Sequence, residues 1–372
     1  MSGLWLGIVL RCGSNFMVFR LKKGKPAVAV APMEGVTDAP MRAFLTERGG
    51  FAYCVSEFLR ISQNLPPKRI FLEHVPELAR SGCVTNSGAP VQLQLLGGDP
   101  VLLAEAACLG IEAGAQGIDL NFGCPAPTVN RHDGGATLLK YPDRIFAIVR
   151  AVRQAVPARF PVSAKLRLGW DSREPILVNA VRAAEGGADW ITIHARTKSQ
   201  GYAPPVDWTF IGEVRRRLEI PVVANGDIWS FEDFLRCREI TGAEHFMLGR
   251  SALANPYLAL RVSAELGVPG AREQAERVGA DTFDPRVIEH WVHLLERFAE
   301  IAGPQSKRSD YLVRRTKQWM KMASVGHRFD WFDRIKRFER FEEVLGCMGG
   351  AGSGFDSGKP SVPVAELSRS VG

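Results

Sequence analysis

The sequence predicts an α/β fold, a (β/α)8 TIM barrel, followed by a small all-helical C-terminal domain. Three observations carry this. Short apolar runs alternate with amphipathic stretches from residue 27 to residue 264. There are eight such runs with helical segments between them, as a closed parallel barrel requires. From residue 265 to 347 the runs stop and only helical periodicity remains.

Residues 1–26 read as an upstream extension. The apolar run from Leu4 to Leu10 is too short to span a membrane, and no basic residues precede it, so a secretory signal fits poorly. Parallel strands covered on both faces should be near-continuous apolar runs. Segments 27–31, 52–58, 91–96, 117–121, 162–168, 190–194, 222–225 and 245–248 are of that kind. Between them, Asp99-Pro100 opens a helix reaching about Glu112, with proline in its first turn. Segments 142–156 and 230–240 read the same way. A doubly wound sheet would carry GxGxxG after its first strand, and none is there. Residues 265–284 are polar and charged, a connector. Helical periodicity runs over 285–345, with Trp291, Leu294, Leu295 and Phe298 on one stripe. Gly, Ser and Pro dominate 348–372, which reads as a disordered tail. The expected domains are therefore 27–264 and 265–347.

Composition narrows the function class. With 46% hydrophobic and 23% charged residues, the chain is neither disordered nor fibrous. Its 7 cysteines include no CxxC pair, and its 7 histidines form no metal motif, so no metal is expected. Free, widely spaced cysteines fit a reducing cytoplasm. The formal charge is +7, and the stretch from Ser306 to Arg340 carries all of it. A local basic surface points to a polyanion partner, although a charge run can also be only a solvated face.

The polar residues fall where a barrel uses them. Met33, Glu57, Gln94, Asn121, Lys165, His194, Asn225 and Gly249-Arg250 stand at successive strand ends, the catalytic face of such a barrel. The loops after strands seven and eight, Asn225-Gly226-Asp227 and Gly249-Arg250, can form a phosphate site from backbone N–H groups and a cation. They can also be two ordinary glycine turns. Lys165 inside a barrel mouth needs an anionic partner, either a structural ion pair or a ligand. Near a flavin, Lys165 and His194 would stabilise the anionic reduced ring and Gln94 would bond its pyrimidine edge. Cys124, on the Gly123/Pro125-bounded loop after strand four, is an even choice between a cleft-facing acid and a buried thiol.

Taken together, Ala31-Pro32-Met33-Glu34-Gly35-Val36-Thr37-Asp38, Gln92-Leu93-Gln94-Leu95, Asp119-Leu120-Asn121-Phe122-Gly123-Cys124-Pro125, Lys165-Leu166-Arg167-Leu168-Gly169-Trp170, Ile193-His194-Ala195-Arg196-Thr197 and Asn225-Gly226-Asp227-Ile228 resemble the tRNA-dihydrouridine synthase family. The segments Met33-Glu34-Gly35, Arg167-Leu168-Gly169-Trp170-Asp171 and Lys317-Gln318-Trp319 are similar to its DusC-like subgroup, which modifies uridine at tRNA position 16. The resemblance implies FMN in the barrel mouth, NADPH as reductant and a helical domain gripping tRNA. It implies that Pro32, Met33 and Glu34 line the flavin and that Gln94, Lys165 and His194 meet its ring. Asn225, Gly226, Asp227, Gly249 and Arg250 would hold its phosphate, and Cys124 would be the catalytic acid. Glu57, Asn121 and Arg167 would meet the flipped uridine, and Lys317, Gln318 and Trp319 the tRNA, joined by Arg314 on the same basic segment.

The chemistry accounts for these residue types. Saturating the C5–C6 bond of uracil takes a hydride at C6 and a proton at C5, and a protonated thiol can supply the second. The competing function is an FMN barrel oxidoreductase acting on a free pyrimidine, which would have no need of the basic helical region. A non-catalytic RNA-binding barrel would be expected to lack Cys124, Lys165 or the phosphate loops. The expected protein is a cytoplasmic monomer with a tRNA partner and no membrane.

Overall fold

The computed structural model describes residues 18–80, 82–130, 133–303, 309–325 and 329–349. Eight parallel strands close into a barrel in chain order: β1 (Ala27–Val30), β2 (Tyr53–Arg60), β3 (Val91–Leu96), β4 (Ile118–Phe122), β5 (Val162–Arg167), β6 (Trp190–His194), β7 (Val222–Asn225) and β8 (His245–Leu248). Closure comes from β1 pairing with β8, Ala27 opposite His245 and Val30 opposite Leu248. Strand β2 continues past the expected residue 58, so Glu57 lies within the strand and not at its end.

The helices start where the capping chemistry places them. Asp99 caps Pro100–Glu112 by accepting from Val101 N and Leu102 N. Ser230 and Asp233 form a reciprocal capping box at Phe231–Thr241. Asp38 caps Ala39–Glu47 through Met41 N. The outward face of each strand packs on these helices in one continuous apolar core.

The inward face is separate. Ala27, Ala29, Ala31, Tyr53, Val55, Trp190, Val223 and Met247 form a second buried cluster, with Leu21 and Phe19 packed on it. The Phe19 and Tyr53 rings lie 4.8 Å apart. Within the expected extension, Phe19 and Leu21 therefore pack against the inward face of the barrel. Residues 1–17, and the tail beyond residue 349, lie outside the described residues.

The segment read as a connector, 265–284, contains a helix of its own, Ala271–Arg277, packed on Leu258–Glu265. Charge hid it: only Ala271 and Ala275 are buried. Among the described residues, the helices Glu289–Ala302, Tyr311–Ala323, Trp331–Ile335 and Phe341–Gly349 follow. The stripe Trp291, Leu294, Leu295 and Phe298 is fully buried. Trp319 stands among these residues and also touches the barrel. Its ring lies 5.0 Å from Phe44 and 5.6 Å from Phe298, and its Nε1 donates to Leu253 O at 2.8 Å. A side chain with no exposed surface cannot meet RNA, so Trp319 pins the helical domain to the barrel. The expected tRNA contact at that residue is corrected.

Candidate active site

The strand C-termini surround a cavity of about 300 Å³. Of the residues the sequence assigned to a cofactor, Pro32, Met33, Glu34, Lys165, His194, Asn225, Gly226, Asp227, Gly249 and Arg250 line it, and Gln94 does not. Met322 and Val325, from the helical domain, complete its wall. Those two read in sequence as ordinary helix residues, and nothing in their spacing marks them.

Two cations, Lys165 and Arg250, line this cavity, and with Arg167 and Arg196 they surround His194. Lys165 is partly buried, with Nζ 3.3 Å from Asn225 Oδ1. Burial, and then the nearby Arg167, bring its pKa down to about 8. His194 is pushed well below the ordinary imidazole range, first by burial and then by Arg167, Lys165, Arg196 and Arg250. It is therefore neutral at pH 7. The buried Arg196 donates to Asp227 through both Nη atoms and to Ala203 O through Nε. Arg250 reaches the same carboxylate at 3.2 Å, its guanidinium 4.7 Å from the Tyr202 ring and 5.0 Å from the Trp229 ring. The Asp227 side chain is thus taken up in orienting arginines. What Asp227 leaves for a phosphate is its backbone, turned by a positive φ of 46°. At Gly226, φ is +117° and a Cβ would sit 2.8 Å from His194 Cδ2, so only glycine fits there. Arg196 lies inside a motif singled out in the sequence, but its partner, 31 residues away, could not be read from it.

Cys124 stands on the loop after β4, half-buried. Asn121 Oδ1 accepts from both Gly123 N and Cys124 N at 2.9 Å. Asn121 Nδ2 donates to Gln94 Oε1 at 2.9 Å, and Gln94 Nε2 donates to Asp119 Oδ2 at 2.7 Å. A chain of hydrogen bonds therefore runs from the barrel interior to the cysteine loop. Gln94 and Asn121 are engaged in this chain, and each has one further amide N–H beyond it. Arg167 is engaged in the same way through Nε and Nη1. Its Nε donates to Gly123 O at 2.9 Å, and its Nη1 donates to Thr197 O at 3.0 Å and Gly201 O at 2.8 Å. It ties the cysteine loop to the loop after β6. Gly135, with φ +58°, backs this loop: a Cβ there would lie 3.2 Å from Cys124 Cβ.

Burial raises the Cys124 thiol above its ordinary pKa, and Glu34 adds to the shift, against the lowering from Ala126 N–H, Arg167 and Lys165. Glu57 accepts from Val36 N at 2.8 Å, and burial with Asp38 and Glu34 brings its carboxyl up to about 7. Glu57 therefore supports the Pro32–Asp38 loop from behind. Arg314 and Lys321 are exposed, while Lys317 and Gln318 are partly so, all on the Tyr311–Ala323 helix.

Among the described residues, no cluster could hold a metal ion, and no helix is long and apolar enough to cross a membrane. A family model described as Dihydrouridine synthase (Dus) matches residues 29–322. A tRNA-dihydrouridine(16) synthase from Pseudomonas putida is 46% identical over 298 residues, covering 80% of this chain and 88% of that protein. One from Ralstonia nicotianae is 47% identical and covers 86% of this chain and 94% of that one. One from Neisseria meningitidis serogroup A is 42% identical, with 87% and 93% covered. The chain belongs to the dihydrouridine synthase family.

Proposed function

We propose that the protein reduces a uridine of tRNA, at position 16, to 5,6-dihydrouridine, with FMN in the barrel mouth and NADPH as the electron donor. One observation carries the reading: a cationic cavity at the strand C-termini stands beside a half-buried thiol whose pKa is raised. The residues present fit a flavin monophosphate. Arg250 and the backbone at Gly226, Asp227 and Gly249 offer a phosphate its donors. Among the described residues, the partly buried Lys165 bonds the neutral amide oxygen of Asn225, and an anionic ring would satisfy its charge.

Reduced FMN held by these residues would supply the hydride for C6 of uracil. The chain's own residues do the rest. Lys165 brings positive charge to the ring. His194 stays neutral beside it because it is buried and because four cations surround it. Asn121 and Arg167 hold the Cys124 loop. Cys124 keeps its proton on Sγ at neutral pH and gives it to C5, the acid step of the reduction. The uridine must leave its stack to reach this pocket, at a cost of a few kcal/mol. The Tyr311–Ala323 helix offers phosphate contacts through Arg314, Lys317 and Lys321.

The test is direct. Purified protein incubated with FMN, NADPH and unmodified tRNA should form dihydrouridine at position 16 only. Retention of FAD in place of FMN, or reduction of free uridine at a comparable rate, would favour a small-molecule oxidoreductase and reject this reading.

A further inference from the structure

The loop after β1 carries Pro32, Met33, Glu34 and Val36 into the cavity wall. From the barrel side, Thr37 Oγ1 accepts from Met33 N at 2.8 Å, Arg42 Nη1 donates to Thr37 O at 2.6 Å, and Glu57 holds Val36 N. The apex of the loop is Gly35, at φ +70°, and its far end is Asp38. Neither the Gly35 carbonyl nor Asp38 Oδ2 is held by the barrel. Both are held by the helical domain. Arg315 Nη1 donates to Gly35 O and, at 2.5 Å, to Gln318 Oε1, while Arg315 Nη2 pairs with Asp38 Oδ2. Tyr311 OH donates to the same carboxylate oxygen at 2.7 Å. Two of the three segments that mark the subgroup in the sequence, around Gly35 and around Gln318, thus meet in space.

We propose that Arg315 is a positioning residue that sets the cofactor-facing loop from the helical domain. This rests on the reading of the cavity as an FMN site. The Arg315 side chain is 12% exposed, against 65% for its neighbour Arg314. Arg315 therefore faces the barrel while Arg314 faces out. A guanidinium can bond a carbonyl and a carboxylate together, whereas an ammonium has no such planar fork. Losing the clamp leaves the glycine apex free to move, and a ligand must then pay the ordering cost on binding.

R315Q, R315K and Y311F, each as the full chain, separate the possibilities. FMN affinity is read by fluorescence quenching, fold by far-UV circular dichroism, and KM for tRNA at saturating FMN. R315Q should weaken FMN on the order of 10-fold, as expected for a lost charge-assisted hydrogen bond. R315K should lie between R315Q and wild type, and Y311F should weaken FMN about twofold to threefold. Fold and KM for tRNA should be unchanged. If FMN affinity stays within about twofold of wild type in R315Q while KM for tRNA rises and its salt dependence flattens, Arg315 is an RNA contact and the clamp is wrong. Equal FMN affinity and equal KM overturn it too. Wild-type protein that takes up no FMN sinks the functional reading and the clamp together.

Discussion

Asn121→Ala removes three hydrogen bonds at once, and the structure separates their costs. Gln94 Oε1 loses its donor at a residue with no exposed surface. An unpaired buried acceptor costs about 1–3 kcal/mol. Gly123 N and Cys124 N lose their acceptor on half-exposed residues, where water can replace it, so each costs about 1 kcal/mol or less. The sum is roughly 1–5 kcal/mol, a fall in Tm of about 1–6 °C for a chain of 372 residues. The effect on chemistry should be larger. The Cys124 loop loses the anchor that aims its thiol, and a misplacement of about 1 Å can cost on the order of 10²-fold in rate. The assay is single-turnover reduction of tRNA by pre-reduced enzyme, well below Tm, with flavin content measured in parallel. Asn121→Asp is the control: it keeps the acceptor for the loop but cannot donate to Gln94, so it should restore more of the rate than of the stability. A variant with normal maximal rate but raised KM for tRNA would refute the reasoning, because Asn121 would then be touching substrate rather than holding the loop.

Cys124→Ala should still bind FMN and be reduced by NADPH, yet form dihydrouridine about 10²–10⁴-fold more slowly, as measured by nucleoside chromatography. Because the thiol must be protonated to act and burial raises its pKa, the wild-type rate should hold through neutral pH and fall only as pH rises past the ordinary thiol range. A rate that climbs with pH there would contradict the assignment. Charge reversal of Arg314, Lys317 and Lys321 together should weaken tRNA binding and flatten its salt dependence while leaving flavin content intact; an unchanged salt slope in filter binding would place the docking surface elsewhere. Arg42→Met should destabilise by about 3–5 kcal/mol in denaturant unfolding, since it strands Glu77, 1% exposed, from a partner 2.7 Å away.

The barrel could be read from sequence because parallel strands write themselves as apolar runs, and the cavity wall because strand ends in a barrel share one face. The roles of Gln94, Asn121 and Arg167 could not. Each is a polar residue near the mouth, and only the fold shows its hydrogen bonds with Asp119, Cys124 N and the carbonyls of Gly123, Thr197 and Gly201. Trp319 misled for a related reason. An indole within a basic stretch looks like a stacking surface until the helix is rotated into place and its ring meets Phe44. Arg315 and Arg314 are adjacent in the chain and identical in type, so composition cannot tell which turns inward. The helix from Ala271 to Arg277 was hidden by its charge, because only one of its faces touches anything apolar.

The pairing of β1 with β8 has a consequence for how the chain comes off the ribosome. Ala27 is made early and must wait for His245, about 220 residues later, before its second edge is covered. At typical synthesis speeds of about 5–20 residues per second, that wait lasts roughly 10–40 s. Throughout it, the growing sheet has two open edges, each able to pair with a neighbouring nascent chain. Chains cut short before β8 should therefore aggregate rather than persist as partial folds. The wall of the pocket is complete only once Met322 and Val325, more than 70 residues beyond β8, have joined it.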